Sequence, residues 1–169
     1  MRTVNGTVTM NSQTTEDAVA RLEAIEDIQQ LKARYCVACD APFDAEAIAQ
    51  MFTEDGIWET ADGKVRCQGR DAIRAFFQPA KPAFIAHLVT NPIITIDGDR
   101  ARGNWWVTCP STRVENGEKV AYWILGYYDD VYVRRSGRWL FERVRTDIKF
   151  WAPHREGWVA DMERRAGSS

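Results

Sequence analysis

Apolar side chains in the first third of the chain recur at steps of three and four. Val19, Leu22, Ile25, Ile28, Leu31, Tyr35 and Ala38 fall on one helical face. Thr14-Thr15-Glu16-Asp17 offers this helix a cap with early negative charge, and residues 1–13 before it have no period and read as a mobile arm. Asp40-Ala41-Pro42 stops it, because proline disfavours helical backbone in the residue before it. Asp44 then caps a short helix carrying Ile48, Met51 and Phe52, and Arg70 to Phe77 gives a third with Ile73, Phe76 and Phe77 inward.

The period changes in the second half. Asp62-Gly63, Asp97-Gly98, Asn116-Gly117 and Ser136-Gly137 punctuate runs rich in β-branched and aromatic residues, and such pairs accept the positive φ of two-residue hairpins. The runs are Ala83 to Ile96, Arg100 to Val114, Lys119 to Arg134 and Arg138 to Phe150, a long antiparallel meander. Pro92 cannot donate a ladder hydrogen bond and predicts an edge or a bulge in the first run. Strands of about 13–16 residues exceed the usual ~5–6 and coil rather than lie flat. The predicted fold is α+β: three N-terminal helices on a strongly curved, mainly antiparallel sheet, a cone-shaped barrel with an interior. Residues 14–159 form its single domain, and 160–169 read as a frayed, charged tail.

Composition narrows the function. The 169 residues are 45% hydrophobic and 27% charged, enough apolar material for a real core. A net charge of −2 gives no basic surplus to drive nucleic-acid binding. No apolar run approaches the ~20 residues needed to cross a bilayer, and the Thr- and Asn-rich start lacks a signal-peptide core, so a cytoplasmic location is expected. Cys36-Val-Ala-Cys39 matches C-x-x-C, but no second ligand pair suits a metal and no strand precedes it as in redox folds. Cys36, Cys39, Cys67 and Cys109 read as packing residues.

The chain has two histidines. His87 lies among Phe84-Ile85-Ala86 and Leu88-Val89, where burial without a partner is costly. Read alone, it is either a satisfied core histidine or a base. His154, after the last strand, reads as a surface or interface residue. Asp40 is either a turn residue or a partner for His87.

Ile28 to Tyr35 in the form Ile-x-x-Leu-x-x-x-Tyr, then Asp40, Phe52-Thr53-Glu54-Asp55-Gly56-Ile57-Trp58, Gly69-Arg70-Asp71-Ala72-Ile73, His87, and Gly137-Arg138-Trp139-Leu140-Phe141 follow in order. Over residues 16 to 152 this pattern resembles the SnoaL-like branch of the nuclear transport factor 2-like superfamily. That branch includes scytalone dehydratase, bile-acid 7α-dehydratase, hexachlorocyclohexane dehydrochlorinase and the lignin diarylpropane lyase. The resemblance implies a cofactor-independent, metal-free lyase with His87 as base, Asp40 as its partner and Tyr35 as a candidate acid. It implies loss of water, or of water plus formaldehyde, from a hydroxylated aromatic or polycyclic small molecule. The family's turns place Trp58, Trp105, Val107, Ile124 and Tyr128 inward, with Glu59 standing beside Trp58 where several dehydratases carry a second tyrosine. Trp106, Trp123, Tyr127, Arg143 and Arg145 face outward, which predicts a homo-oligomer, a trimer or dimer. The same fold serves as the noncatalytic small subunit of ring-hydroxylating dioxygenases, as a ligand-binding module and as an isomerase, and fold alone does not choose among them.

Overall fold

The computed structural model describes residues 12–40, 42–79 and 82–167. Helix α1 (Ser12–Ala38) takes in the end of the expected arm, the rest of which lies outside the described residues. Its buried stripe is Ala24, Ile28, Leu31, Lys32, Tyr35 and Cys36, the spacing of one helical face. Burial begins only at Ala24, so Val19 and Leu22, 48% and 65% exposed, belong to exposed turns and not to the core. Beyond Ala38 the Cys39 amide still reaches the Tyr35 carbonyl and the Asp40 amide the Val37 carbonyl. Helix α2 (Ala45–Gln50) starts at Asp44, whose Oδ1 accepts the Ala47 amide at 2.9 Å. After β1 (Phe52–Thr60) and β2 (Arg66–Gln68), α3 (Arg70–Phe77) buries Ile73 and Phe77. Phe76, expected inward, is 38% exposed but packs on Trp58.

The single strand expected from Ala83 to Ile96 is two: β3 (Phe84–Ile85) and β4 (Leu88–Asp97). Both pair antiparallel with β5 (Arg100–Glu115). Opposite the break stands Pro110, whose carbonyl accepts the Ala86 amide at 3.2 Å. Proline has no N–H to return, so the reciprocal ladder bond is missing and the pairing lapses. His87 therefore sits in a break at the sheet edge, not in mid-strand. Pro92 does mark a bulge, with a register shift between Thr90 and Ile93 and Asn91 at φ 52°.

Strand β6 (Glu118–Arg135) and β7 (Arg138–Pro153) complete a sheet of order β2-β1-β7-β6-β5-β3, with β4 also on β5. All neighbours are antiparallel except β1 and β7, which run parallel. Asn116-Gly117 (φ 51° and 86°) and Ser136-Gly137 (49° and 74°) turn the two longest hairpins with positive φ at both residues. Register shifts at Leu125/Gly126 and Val131/Tyr132 help bend β6 and β7. The result is an α+β cone whose sheet curls but does not close, an open form of the expected barrel. Residues 160–166, read as a frayed tail, belong instead to helix α4 (Val159–Ala166). Asp161 on it accepts the Trp151 amide at 2.9 Å, just past the β7 irregularity.

The core also holds a charge pair. Lys32 and Asp130 are both fully buried, their Nζ and Oδ2 2.8 Å apart. The Tyr132 hydroxyl donates to the same oxygen at 2.9 Å and accepts the Trp105 indole N–H at 3.0 Å. Lys32 Nζ also stands 3.2 Å from the Tyr128 ring centroid. These contacts tie α1 to β5 and β6. Removing one partner strands a buried charge, so Lys32→Met is expected to destabilise the fold by about 3–5 kcal/mol. Denaturant midpoints should show that Lys32→Met with Asp130→Asn loses less than the sum of the single changes; additivity would mean that the pair does not act as a unit.

Candidate active site

Asp40 and His87, 47 residues apart in sequence, meet where α1 ends and the β3–β4 edge breaks. One carboxylate oxygen, Asp40 Oδ1, accepts both the His87 backbone amide at 2.8 Å and the ring Nδ1 at 2.9 Å. The amide is free for this because the Ala86 amide bonds β5, and alternation turns the next one away from that strand to the open edge. With Nδ1 committed as donor to a carboxylate, the neutral ring carries its lone pair on Nε2. The imidazole is only 12% exposed and Asp40 34%. Burial pushes His87 below the ordinary imidazole value of 6.5; Asp40 opposes the shift and Lys32 adds to it. The ring is therefore neutral and able to take a proton at neutral pH.

His87 lines a cavity of about 1020 Å³ on the concave face of the sheet, at the upper end of the ~300–1,000 Å³ typical of small-molecule sites. Tyr35, Trp58, Val107, Cys109, Ser111, Arg113, Ile124, Tyr128 and Trp151 line it with His87; Tyr35, Tyr128, Trp58 and Ser111 are buried, whereas Arg113 is exposed and marks the open side. Of the residues expected to contact substrate, Trp58, Val107, Ile124 and Tyr128 thus line this space. Trp105 does not: it is buried beneath the floor, bonded to Tyr132. Glu59 does not either. It pairs with Arg66 and lies 3.9 Å from Arg143, on the opposite side of β1 from Trp58. Strand alternation explains the difference, since neighbours on one strand face opposite ways.

The two cavity tyrosines differ. The Tyr35 hydroxyl accepts the Trp58 indole N–H at 2.8 Å and also hydrogen-bonds Cys39, so it is engaged on both sides. The Tyr128 hydroxyl has no hydrogen-bond partner among the described residues. Burial holds both phenols well above their ordinary value, so both keep their protons. Burial likewise pushes Cys36 up to about 11 and Cys109 up to about 12, which leaves uncharged thiols of little nucleophilic power. Among the described residues, no group of His, Cys, Asp or Glu side chains could hold a metal ion, and no helix is long and apolar enough to cross a membrane.

A model of the SnoaL-like domain matches residues 20–145, from within α1 to β7 and including both members of the pair. The chain belongs to the SnoaL-like domain family. No curated protein matches this SnoaL-like chain. A Mycobacterium tuberculosis protein of unknown function superposes at TM-score 0.66 with 25% identity, over 86% of this chain and 79% of that one. A type 2 hexachlorocyclohexane dehydrochlorinase, LinA, gives TM-score 0.73 at 21% identity, over 80% of this chain and 92% of that one. A Novosphingobium aromaticivorans protein whose name assigns it to scytalone dehydratase gives 0.72 at 21%, over 81% and 91%. At 21% identity, the last two likenesses speak to the cone fold.

Sequence reading missed the buried Lys32. It stands on the same helical face as Ile28 and Tyr35, a cation at a core position, and that spacing was the available signal. The free Tyr128 hydroxyl is a matter of partners and left no trace in the sequence. The His87 environment sets a pH dependence. An imidazole whose folded value is lowered contributes stability fully above pH 6.5 and loses it as pH falls from there toward the folded value. A proton NMR titration of the two histidines should show His87 protonating below 6.5. Asp40→Asn, by removing the charge that holds the imidazole up, should lower it further; a rise would contradict the pairing.

Proposed function

We propose that this SnoaL-like domain is a lyase that eliminates water from a hydroxylated aromatic or polycyclic small molecule, with His87 as base and Asp40 as its orienting partner. The observation that carries the reading is the double acceptance by Asp40 Oδ1, which fixes the imidazole while His87 lines a large, mainly apolar cavity. Nε2 removes a proton from the substrate; the electron pair left behind forms the new double bond as hydroxide departs. That hydroxide needs a proton to leave as water, and the Tyr128 O–H, unpaired inside the cavity, is the donor the geometry favours over the engaged Tyr35. The aromatic walls exclude water and strengthen these interactions. The dehydrochlorinase and dehydratase names among the similar structures fit such elimination chemistry, which in those names belongs to those proteins.

A two-ring substrate with a primary alcohol extends the same chemistry. Loss of a benzylic hydroxyl as water, helped by a para phenol, gives a quinone methide. His87 then takes the proton of the terminal hydroxyl, the adjacent carbon–carbon bond breaks to release formaldehyde, and its electron pair restores the aromatic ring and leaves an alkene. The test is incubation with hydroxylated aromatic dimers and polycyclic alcohols, followed by mass measurement. Product lighter by one water supports dehydration, and by one water plus one formaldehyde the cleavage. Unchanged mass with a moved double bond replaces the reading by an isomerase. His87→Ala should lower turnover by at least ~10², and undiminished turnover would reject the assigned base. Tyr128→Phe should lower kcat more than Tyr35→Phe does.

A further inference from the structure

The inward-facing residues of β5 change character along the strand: Val107 and Cys109 beside His87, then Ser111 and Arg113 toward the mouth. Arg113 is unusual among the inward side chains. Its guanidinium carbon lies 4.4 Å from the Trp151 ring centroid, and it makes no ion pair among the described residues. Glu115, the next residue of the same face, is occupied by the Tyr122 hydroxyl at 2.6 Å. Stacking on an aromatic face fixes the plane of a guanidinium while leaving its N–H edge open, the arrangement that suits a planar carboxylate. Ser111 supplies an independent sign. It is 4% exposed, it lines the cavity, and its Oγ has no hydrogen-bond partner. A buried hydroxyl without a partner is costly unless a ligand completes it.

We infer that Arg113 and Ser111 form an anion-recognising subsite at the cavity mouth and that the ligand is an aromatic acid whose carboxylate binds there. This deepens the small-molecule reading of the cavity and rests on it. The Arg113 backbone lies four residues along β5 from Cys109, about 14 Å at the rise of an antiparallel strand. The carboxylate therefore stands on the order of 10 Å from the atom facing His87, the length of a two-ring molecule. Asp40 adds orientation: its negative charge beside His87 disfavours entry acid-first, so the apolar end goes in and the acidic end stays at Arg113.

The test is calorimetric binding of biphenyl-4-carboxylate and biphenyl-4-carboxamide to the full chain, alike in shape and different in charge. Wild type is expected to favour the carboxylate by about tenfold, less at high salt. Arg113→Gln, at an exposed position that the fold does not depend on, should bring that preference close to one. Ser111→Ala should weaken the carboxylate severalfold without lowering the thermal midpoint, because its hydroxyl has no partner to lose. Equal binding of both probes to wild type, an undiminished preference in Arg113→Gln, or failure of the carboxylate to bind would overturn the subsite. These readouts involve no turnover. Wild-type turnover by His87→Ala together with loss of preference in Arg113→Gln would sink the lyase and leave the subsite standing.

Discussion

One carboxylate oxygen holds two donors of the same residue, and the candidate site depends on that constraint. Asp40 Oδ1 binds the His87 amide and ring together, so backbone and side chain are fixed by a single acceptor. Either bond alone would leave the imidazole a rotation to explore; the two together close a small ring of atoms around one χ1 setting. Asp40 itself is placed by the end of α1, where its amide bonds the Val37 carbonyl, which makes the helix terminus a structural part of the site. The arrangement requires that the His87 amide have no strand partner, and alternation provides for this: the Ala86 amide bonds Pro110 on β5, so the next amide points away from that strand, to the open edge.

The Lys32–Asp130 pair serves a second requirement. A concave sheet with an open interior has fewer apolar contacts than a filled one, and α1 must still be held across it. A buried ion pair with the Tyr132 hydroxyl and the Trp105 indole joins the helix to two strands below the cavity floor. The lysine does more than anchor: it lies against the Tyr128 ring and adds to the downward shift of His87. Core and site are thus electrostatically connected, though no residue of the ion pair lines the cavity.

Much of the fold was legible because its signals are local. The apolar stripe of α1, the Asp44 cap, the positive-φ hairpins and the Pro92 bulge each follow from a few adjacent residues. Strand alternation says that about half of the strand residues face inward, and the resemblance to the family's turns chose the phase that puts Trp58, Val107, Ile124 and Tyr128 there. What escaped notice depends on partners far away in sequence. The break at His87 is caused by Pro110 across the ladder, and the parallel pairing of β1 with β7 joins strands from opposite ends of the chain. Trp105 has the right parity but stands one layer too deep, and Glu59 has the wrong parity for the cavity. Helix α4 escaped because a short charged segment has little apolar period, and its Asp161 contact is with a backbone amide that no side-chain pattern announces.

The β3–β4 edge has a kinetic consequence. It is held on one side only, by β5, and His87 sits at its weakest point, with the Ala86 amide paired across a proline and the His87 amide tied to a helix end. Fraying of sheet edges requires far less free energy than global opening. In hydrogen exchange, the His87 amide would report how often Asp40 lets go. Each such release would also free the ring to turn, so the residence of the imidazole against Asp40 is governed by local fluctuations of a border strand and is largely independent of how well the core resists denaturation.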